Sequence, residues 1–126
     1  MIIYTDGACS GNPGPMGIGA AIYKGGKLLK KLSEPIGEGT NNIAEYSAVK
    51  AGIEEAVSLG ADAVEVRTDS RLVVQQLSGK FRVKSACLRQ IKAEIDALTE
   101  GLSVNYTWVA REENKLADKL AKDALG

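Results

Sequence analysis

Residues 1–15 read MIIYTDGACSGNPGP. Ile2, Tyr4 and Asp6 alternate with Ile3 and Thr5, and this period of two predicts a strand. The run of Gly, Ser, Asn and Pro after Asp6 ends it. Asp6 then falls on the last pleat of a short apolar strand, where a carboxylate is firmly held and faces a crevice. The same Asp-Gly pair also suits a plain turn, in which the side chain bonds backbone N–H groups. Taken alone, the turn is the simpler reading. The balance depends on whether other acids are delivered to the same place.

Outward from this stretch the chain alternates between two periodicities. Ile18 to Lys24 predicts a second strand, Gly25-Gly26 a two-residue hairpin, and Lys27 to Ser33 a third strand with Lys30 and Lys31 exposed. Pro35 to Gly39 reads as a loop. From Ile43 to Leu59, Tyr46, Val49, Ile53 and Val57 fall at helical spacing, while Ala44, Ala48, Ala51 and Gly52 make a second, small-residue side. A helix of that kind is expected to pack on both sides, close to the sheet. Val64, Val66 and Thr68 predict a fourth strand, followed by a helix from Ser70 to Leu77. Leu88, Ile91, Ile95 and Leu98 mark an amphipathic helix, and Leu102, Val104, Tyr106 and Trp108 a fifth strand. Arg111 to Asn114 reads as a polar loop before a last helix with Leu116, Ala117, Leu120, Ala121 and Ala124 on its apolar face. Three strands joined by tight turns form an antiparallel meander, and strands separated by helices are parallel crossovers. The expected fold class is α/β: a five-stranded mixed sheet covered by helices.

Composition bounds the function. The 126 residues suit a single domain spanning 1–126. With 16 basic and 16 acidic residues the net charge is zero, which argues against a uniformly basic nucleic-acid binder but not against local patches. Seven bases, Arg67, Arg71, Lys80, Arg82, Lys84, Arg89 and Lys92, cluster with Asp69 as the only acid among them. A solvated surface loop is the plain explanation of such a run. Met1 leads straight into the first strand, and no apolar run reaches transmembrane length, so a cytoplasmic monomer without membrane contact is expected. Cys9 and Cys87 read as reduced thiols, a long-range disulfide being the alternative. There is no histidine. That removes the commonest general base and the commonest transition-metal ligand, so any metal must be held by oxygen.

Four acids stand out, and each has an ordinary structural use. Glu45 follows Asn42 by three, as in a capping box. Asp69 precedes a helix and suits its N-cap. Asp118 could be a solvated helix acid. Their placement together is harder to dismiss. If the first and fourth strands are parallel neighbours, Asp6 and Asp69 emerge at the same sheet edge, where crevices form in α/β folds. Glu45 and Asp118 lie near the starts of helices able to lean over that edge. Ionised carboxylates so close repel one another, and a hard cation is the natural counter-charge. Two such ions about 4 Å apart could clamp a scissile phosphate.

These motifs resemble type 1 ribonuclease H over essentially the whole chain. The resemblance rests on YTDGACSGNPGP at 4–15, TNNIAE at 40–45, TDS at 68–70 and NKLAD at 114–118, in this order and spacing. It implies a five-stranded mixed sheet with helices on both faces. It also implies a metal-dependent endonuclease that hydrolyses the RNA strand of RNA–DNA hybrids to 5′-phosphate and 3′-hydroxyl ends. By the same resemblance Asp6, Glu45, Asp69 and Asp118 are the catalytic, metal-binding carboxylates, for two Mg²⁺ ions with Mn²⁺ as a substitute. Gly7, Cys9, Gly11 and Asn12 match the loop that approaches the RNA strand, and Thr40, Asn41 and Asn42 the segment that contacts the DNA strand. Ser70, Arg71, Arg111 and Asn114 join the expected substrate contacts, Ser70 and Arg71 because backbone N–H groups at a helix start favour phosphate.

The chain departs from the family pattern twice. Many members carry a histidine in the loop before the last helix, and here that loop is Val109-Ala110-Arg111-Glu112-Glu113. Arg111 is the nearest replacement, though it stays protonated and cannot act as a base. Some members also have a long basic insertion, for which Ser78 to Ala86 is too short, leaving Lys80, Arg82 and Lys84 as partial substitutes. Strict preference for hybrid over double-stranded RNA is therefore open. The competing expectation is a catalytically weak nucleic-acid-binding module of the same fold. An actin-like or sugar-kinase ATPase would need a second lobe that 126 residues cannot supply.

Overall fold

The computed structural model describes residues 1–126. The elements run β1 (Ile2–Cys9), β2 (Gly14–Lys24), β3 (Lys27–Gly39), α1 (Asn41–Ser58), β4 (Ala63–Thr68), α2 (Arg71–Leu77), α3 (Ala86–Leu98), β5 (Ser103–Trp108) and α4 (Lys115–Asp123). A 3-10 turn, Arg111–Glu113, replaces the expected irregular loop before α4. The sheet order is β3-β2-β1-β4-β5. β2 is antiparallel to β1 and β3, while β4 is parallel to β1 and β5. This is the expected meander extended by two parallel strands.

The period of two in β1 assigns its faces. Ile3 and Thr5 turn toward α1, where Gly52 leaves room for both side chains. Tyr4 turns to the opposite face, packing edge-on against Tyr23. On the first face Tyr46, Val49, Ile53 and Ala56 of α1 meet Ile3, Ala20, Ile22 and Val66 of the sheet. The same core continues into Val73 and Leu77 of α2 and Leu88 and Ile95 of α3, so α1 is covered on two sides as its small residues predict. Buried Tyr46 donates its hydroxyl hydrogen to Gln76 Oε1, which fixes α1 against α2. On the second face α4 stands alone. A Cβ at Gly17 would overlap the Ala121 carbonyl oxygen, and one at Gly19 the Ala117 carbonyl oxygen. The α4 backbone therefore rests directly on β2, and Ser33 Oγ donates to Leu120 O at 2.6 Å to hold it there.

Two strands are longer than the residue pattern suggests. β1 continues past Asp6 to Cys9 because β2 keeps pairing with it as far as Cys9↔Met16. Asp6 is thus not on the last pleat. β3 runs through the expected loop at Pro35 to Gly39, pairing Gly39 with Gly14 and Glu38 with Pro15 beyond an irregularity at Pro15/Gly17. Proline is tolerated there because β3 is an edge strand, whose outward N–H needs no partner. No helix is long and apolar enough to cross a membrane.

Candidate active site and nucleic-acid interface

The site forms where the sheet divides. β1 and β4 are paired from Ile2↔Glu65 to Tyr4↔Arg67 and no further. Beyond that point β1 stays with β2, and β4 stays with β5 through Thr68↔Trp108. Asp6 and Asp69 each lie two residues past the last shared pair. The parallel register therefore presents both carboxylates at the mouth of one wedge.

Close packing delivers the other two acids. A Cβ at Gly7 would overlap the Ala44 carbonyl carbon and the Glu45 backbone nitrogen. Only glycine at that position lets the first turns of α1 sit on β1, which brings Glu45 beside Asp6. On the far side, the descent of α4 onto Gly19, the partner of Asp6 across the ladder, brings Asp118 to Asp6. Asn114 fixes the start of α4 by donating from Nδ2 to Thr5 O at 2.9 Å, so the residue before Asp6 is tied to the residue before α4.

The structure removes two of the ordinary explanations for the acids. The N-cap of α1 is Thr40, whose Oγ1 accepts from Ile43 N at 3.2 Å, so Asn42 and Glu45 form no capping box. The N-cap of α2 is Ser70, whose Oγ accepts from Val73 N at 3.3 Å, so Asp69 is not a cap either. Capping of both helices is done by hydroxyls, so neither Glu45 nor Asp69 serves as a cap.

Their electrostatics show mutual repulsion. Asp6 is 8% exposed. Burial, then a hydrogen bond with Asp118, then the charges of Asp69, Asp118 and Glu45 push its carboxyl from 3.8 up to about 8. Burial also raises Glu45, with Asp69 adding to the rise and a neighbouring Ser70 hydroxyl opposing it. Burial disfavours the Asp118 carboxylate too, but Lys122, with its Nζ 3.0 Å from Oδ2, the hydrogen bond from Asp6 and the charge of Arg111 together hold it below the ordinary range. The directions are consistent: the pair shares one proton, which stays on Asp6.

An all-oxygen donor set that keeps a proton to limit its own repulsion fits a hard divalent cation. No three of the side chains are drawn round one point as a closed cage would require. Mg²⁺ binds in that open manner, through one or two carboxylates completed by water and phosphate oxygens.

Beside the acids lies a polar surface. The β1–β2 loop docks on the start of α1, with Asn12 Oδ1 accepting from Asn41 N at 3.2 Å. Asn12, Thr40, Asn41 and Asn42 line one depression of about 520 Å³, with Ile43, Ser85 and Leu88 completing it. The sequence places these residues in two segments, and the fold makes them one surface. Gly11 lies at the exposed tip of the same loop, with φ +88°. The Cys9 thiol points inward, to Gly39 O at 3.3 Å and Gly14 O at 3.5 Å. Both cysteines are free.

Three expectations change. Asn114 is 1% exposed and its Nδ2 is taken by Thr5 O, so the structure shows it holding the start of α4 against β1. Arg67 leaves the basic cluster, since its guanidinium is spent on Glu65 and on Tyr4 Oη. Lys92 is paired with Asp96 at 2.8 Å. Arg71, Lys80, Arg82, Lys84 and Arg89 remain exposed. Trp108, which the strand pattern marks only as an alternating apolar position, donates from its indole N–H to Asp69 O at 3.2 Å. Its place at the end of the strand beside Asp69 was the one available signal.

A mixed α/β sheet whose central parallel strands part over four acids defines a class, and comparison with known proteins gives it a family. The family model described as reverse transcriptase-like matches residues 4–124. The bifunctional protein Rv2228c of Mycobacterium tuberculosis is 41% identical over 99% of this chain, which spans 35% of that protein's length. The structure of its N-terminal ribonuclease H domain matches with a TM-score of 0.95, covering 99% of this chain and 98% of the other. Ribonuclease H1 of Halobacterium salinarum matches at 39% identity and a TM-score of 0.95, over 98% and 96% of the two chains. LC11-RNase H1 in complex with an RNA/DNA hybrid matches at 39% identity and a TM-score of 0.92, over 98% and 94%. The chain belongs to the ribonuclease H family, whose enzymes are divalent-metal dependent.

Proposed function

We propose that this chain hydrolyses the RNA strand of RNA–DNA hybrids, leaving 5′-phosphate and 3′-hydroxyl ends, with Asp6, Glu45, Asp69 and Asp118 as its catalytic carboxylates. The observation that carries the proposal is the convergence of four acids from β1, α1, the end of β4 and α4 on one wedge, where Asp6 is driven up to about 8. The four would hold two Mg²⁺ ions, with Mn²⁺ able to substitute. Bound there, the ions supply activation of water and stabilisation of the leaving oxygen.

The protein's own part follows from the geometry. To hold a cation Asp6 would release to solvent the proton it shares with Asp118, which leaves it an acceptor-only carboxylate. Lys122 and Arg111 keep Asp118 ionised. The depression formed by Asn12, Thr40, Asn41 and Asn42 offers amides and a hydroxyl with no carboxylate, which suits a phosphate of the DNA strand. Gly7 and Cys9 at the end of β1 and Gly11 in the β1–β2 loop bring the backbone toward the RNA strand, whose 2′-hydroxyls lie in a wide minor groove. Ser70 and Arg71 follow directly on Asp69. The hybrid bound by the similar LC11-RNase H1 supports this choice of substrate.

The test is cleavage of a labelled RNA–DNA hybrid beside DNA duplex and RNA duplex, with and without Mg²⁺ or Mn²⁺. Asp6→Asn and Asp69→Asn serve as controls. Metal-dependent cleavage of the RNA strand, lost in both variants, is expected. Binding of hybrid without cleavage would make the chain a binding module instead, and cleavage of RNA duplex would widen its substrate class.

A further inference from the structure

Trp108 is the single tryptophan of the chain and is 41% exposed. It ends β5 opposite Thr68, at the border of the acidic wedge. Its two functional parts serve two neighbours. The indole N–H donates to the Asp69 carbonyl at 3.2 Å. The ring carries the Arg71 guanidinium, whose Cζ is 4.1 Å from the ring centroid.

Arg71 is otherwise free. It is exposed, and it makes no ion pair with a carboxylate and no hydrogen bond inside the protein, although Asp69 is two residues away. A guanidinium lying on an indole keeps its charge and loses much of its freedom. The ordering cost of binding is then met before the ligand arrives. Its N–H fork matches a phosphate in two parallel hydrogen bonds.

We propose that Trp108 and Arg71 act as one unit that binds a backbone phosphate of the strand lying next to Asp69, with Arg71 making the contact and Trp108 as the positioning residue. This deepens the hybrid-hydrolysis reading and rests on it. A neutral aromatic side chain thereby controls a charge contact, and that gives the proposal a signature a merely structural tryptophan would lack.

The experiment measures KM and kcat for hybrid cleavage in Mg²⁺ across a series of salt concentrations. The variants are Arg71→Ala, Arg71→Lys, Trp108→Ala, Trp108→Phe and the double alanine variant. Loss of one charge-assisted contact predicts about a tenfold rise in KM for Arg71→Ala and a salt slope shallower by about 0.9, one phosphate's worth. Trp108→Ala is expected to flatten the slope by the same amount, and the double variant to raise KM no further than the larger single effect. Trp108→Phe keeps a ring face and restores most of the slope, whereas Arg71→Lys keeps the charge and much of the slope but, without the planar fork, leaves KM raised. Trp108→Leu replaces Trp108→Ala if circular dichroism shows the alanine variant misfolded.

A wild-type salt slope in the non-aromatic Trp108 variant, or KM effects that multiply in the double variant, would overturn the proposal while leaving the nuclease assignment intact. Failure of the wild-type chain to cleave hybrid would remove both.

Discussion

Replacing Asp6 by asparagine should make the metal-free protein more stable. The substitution keeps the shape of the side chain and removes the charge that the wedge resists. In the unfolded chain an aspartate titrates near its ordinary 3.8, whereas in the folded protein burial and the neighbouring acids hold Asp6 at about 8. At pH 7 the unfolded state gains from releasing this proton, and the folded state retains it. The difference corresponds to about 4 kcal/mol working against folding, at about 1.4 kcal/mol per tenfold change in proton affinity. Water entering the open wedge and small shifts of Glu45 and Asp118 relieve part of it, so the expected gain for Asp6→Asn is about 1–3 kcal/mol.

The sign fixes the pH dependence. Below 3.8 both states carry the proton and the variant has no advantage. The penalty on the wild type grows as pH rises past that value, and it is complete above about 8. Urea unfolding of both proteins in EDTA, at intervals from pH 3.5 to 9, reads this directly. Adding Mg²⁺ should then favour the wild type, by about 1.4 kcal/mol at ten times the dissociation constant, and close much of the gap. A variant that is no more stable than wild type at pH 7, or whose advantage is the same at every pH, would refute the argument that the acids repel one another.

Three further outcomes follow from named contacts. Gly7→Ala forces a methyl group into the Ala44–Glu45 backbone and should cost about 1–3 kcal/mol in thermal or urea unfolding, with activity falling further because Glu45 moves away from Asp6. Asn114→Ala leaves the buried Thr5 carbonyl unpaired and should cost about 1–3 kcal/mol, with kcat reduced more than KM is raised, since the amide is spent on holding α4 and Asp118 in place. Arg111→Ala removes one of the charges that keep Asp118 ionised, and should slow multiple turnover about two- to fivefold while moving the acidic limb of the pH–rate profile upward. Equal single- and multiple-turnover rates in wild type and variant would deny Arg111 that role.

The parts of this molecule legible in its residues are those governed by local periodicity. Alternation located β1, β4 and β5, the Gly25-Gly26 hairpin signal located β2 and β3, the helical spacing of Tyr46, Val49 and Ile53 located α1, and the order of elements gave the mixed sheet. What local pattern does not record is decided by partners distant in sequence. Pro35 to Gly39 reads as a loop, yet it is a strand because β2 lies alongside it. Asp6 reads as a strand end, yet its strand continues on β2 after β4 has turned away, and this divergence is what opens the wedge. Asn114 shows the limit most clearly. In the motif at 114–118 it looks like one more polar residue facing substrate. Its amide instead reaches 109 residues back along the chain to Thr5. That single bond sets α4 against β1, and with it the approach of Asp118 to Asp6. The four acids are therefore identifiable as a set from sequence, but their repulsion is created by contacts that carry no motif: the bare backbone of Gly7 under α1, the bare backbone of Gly19 under α4, and the amide of Asn114 between them.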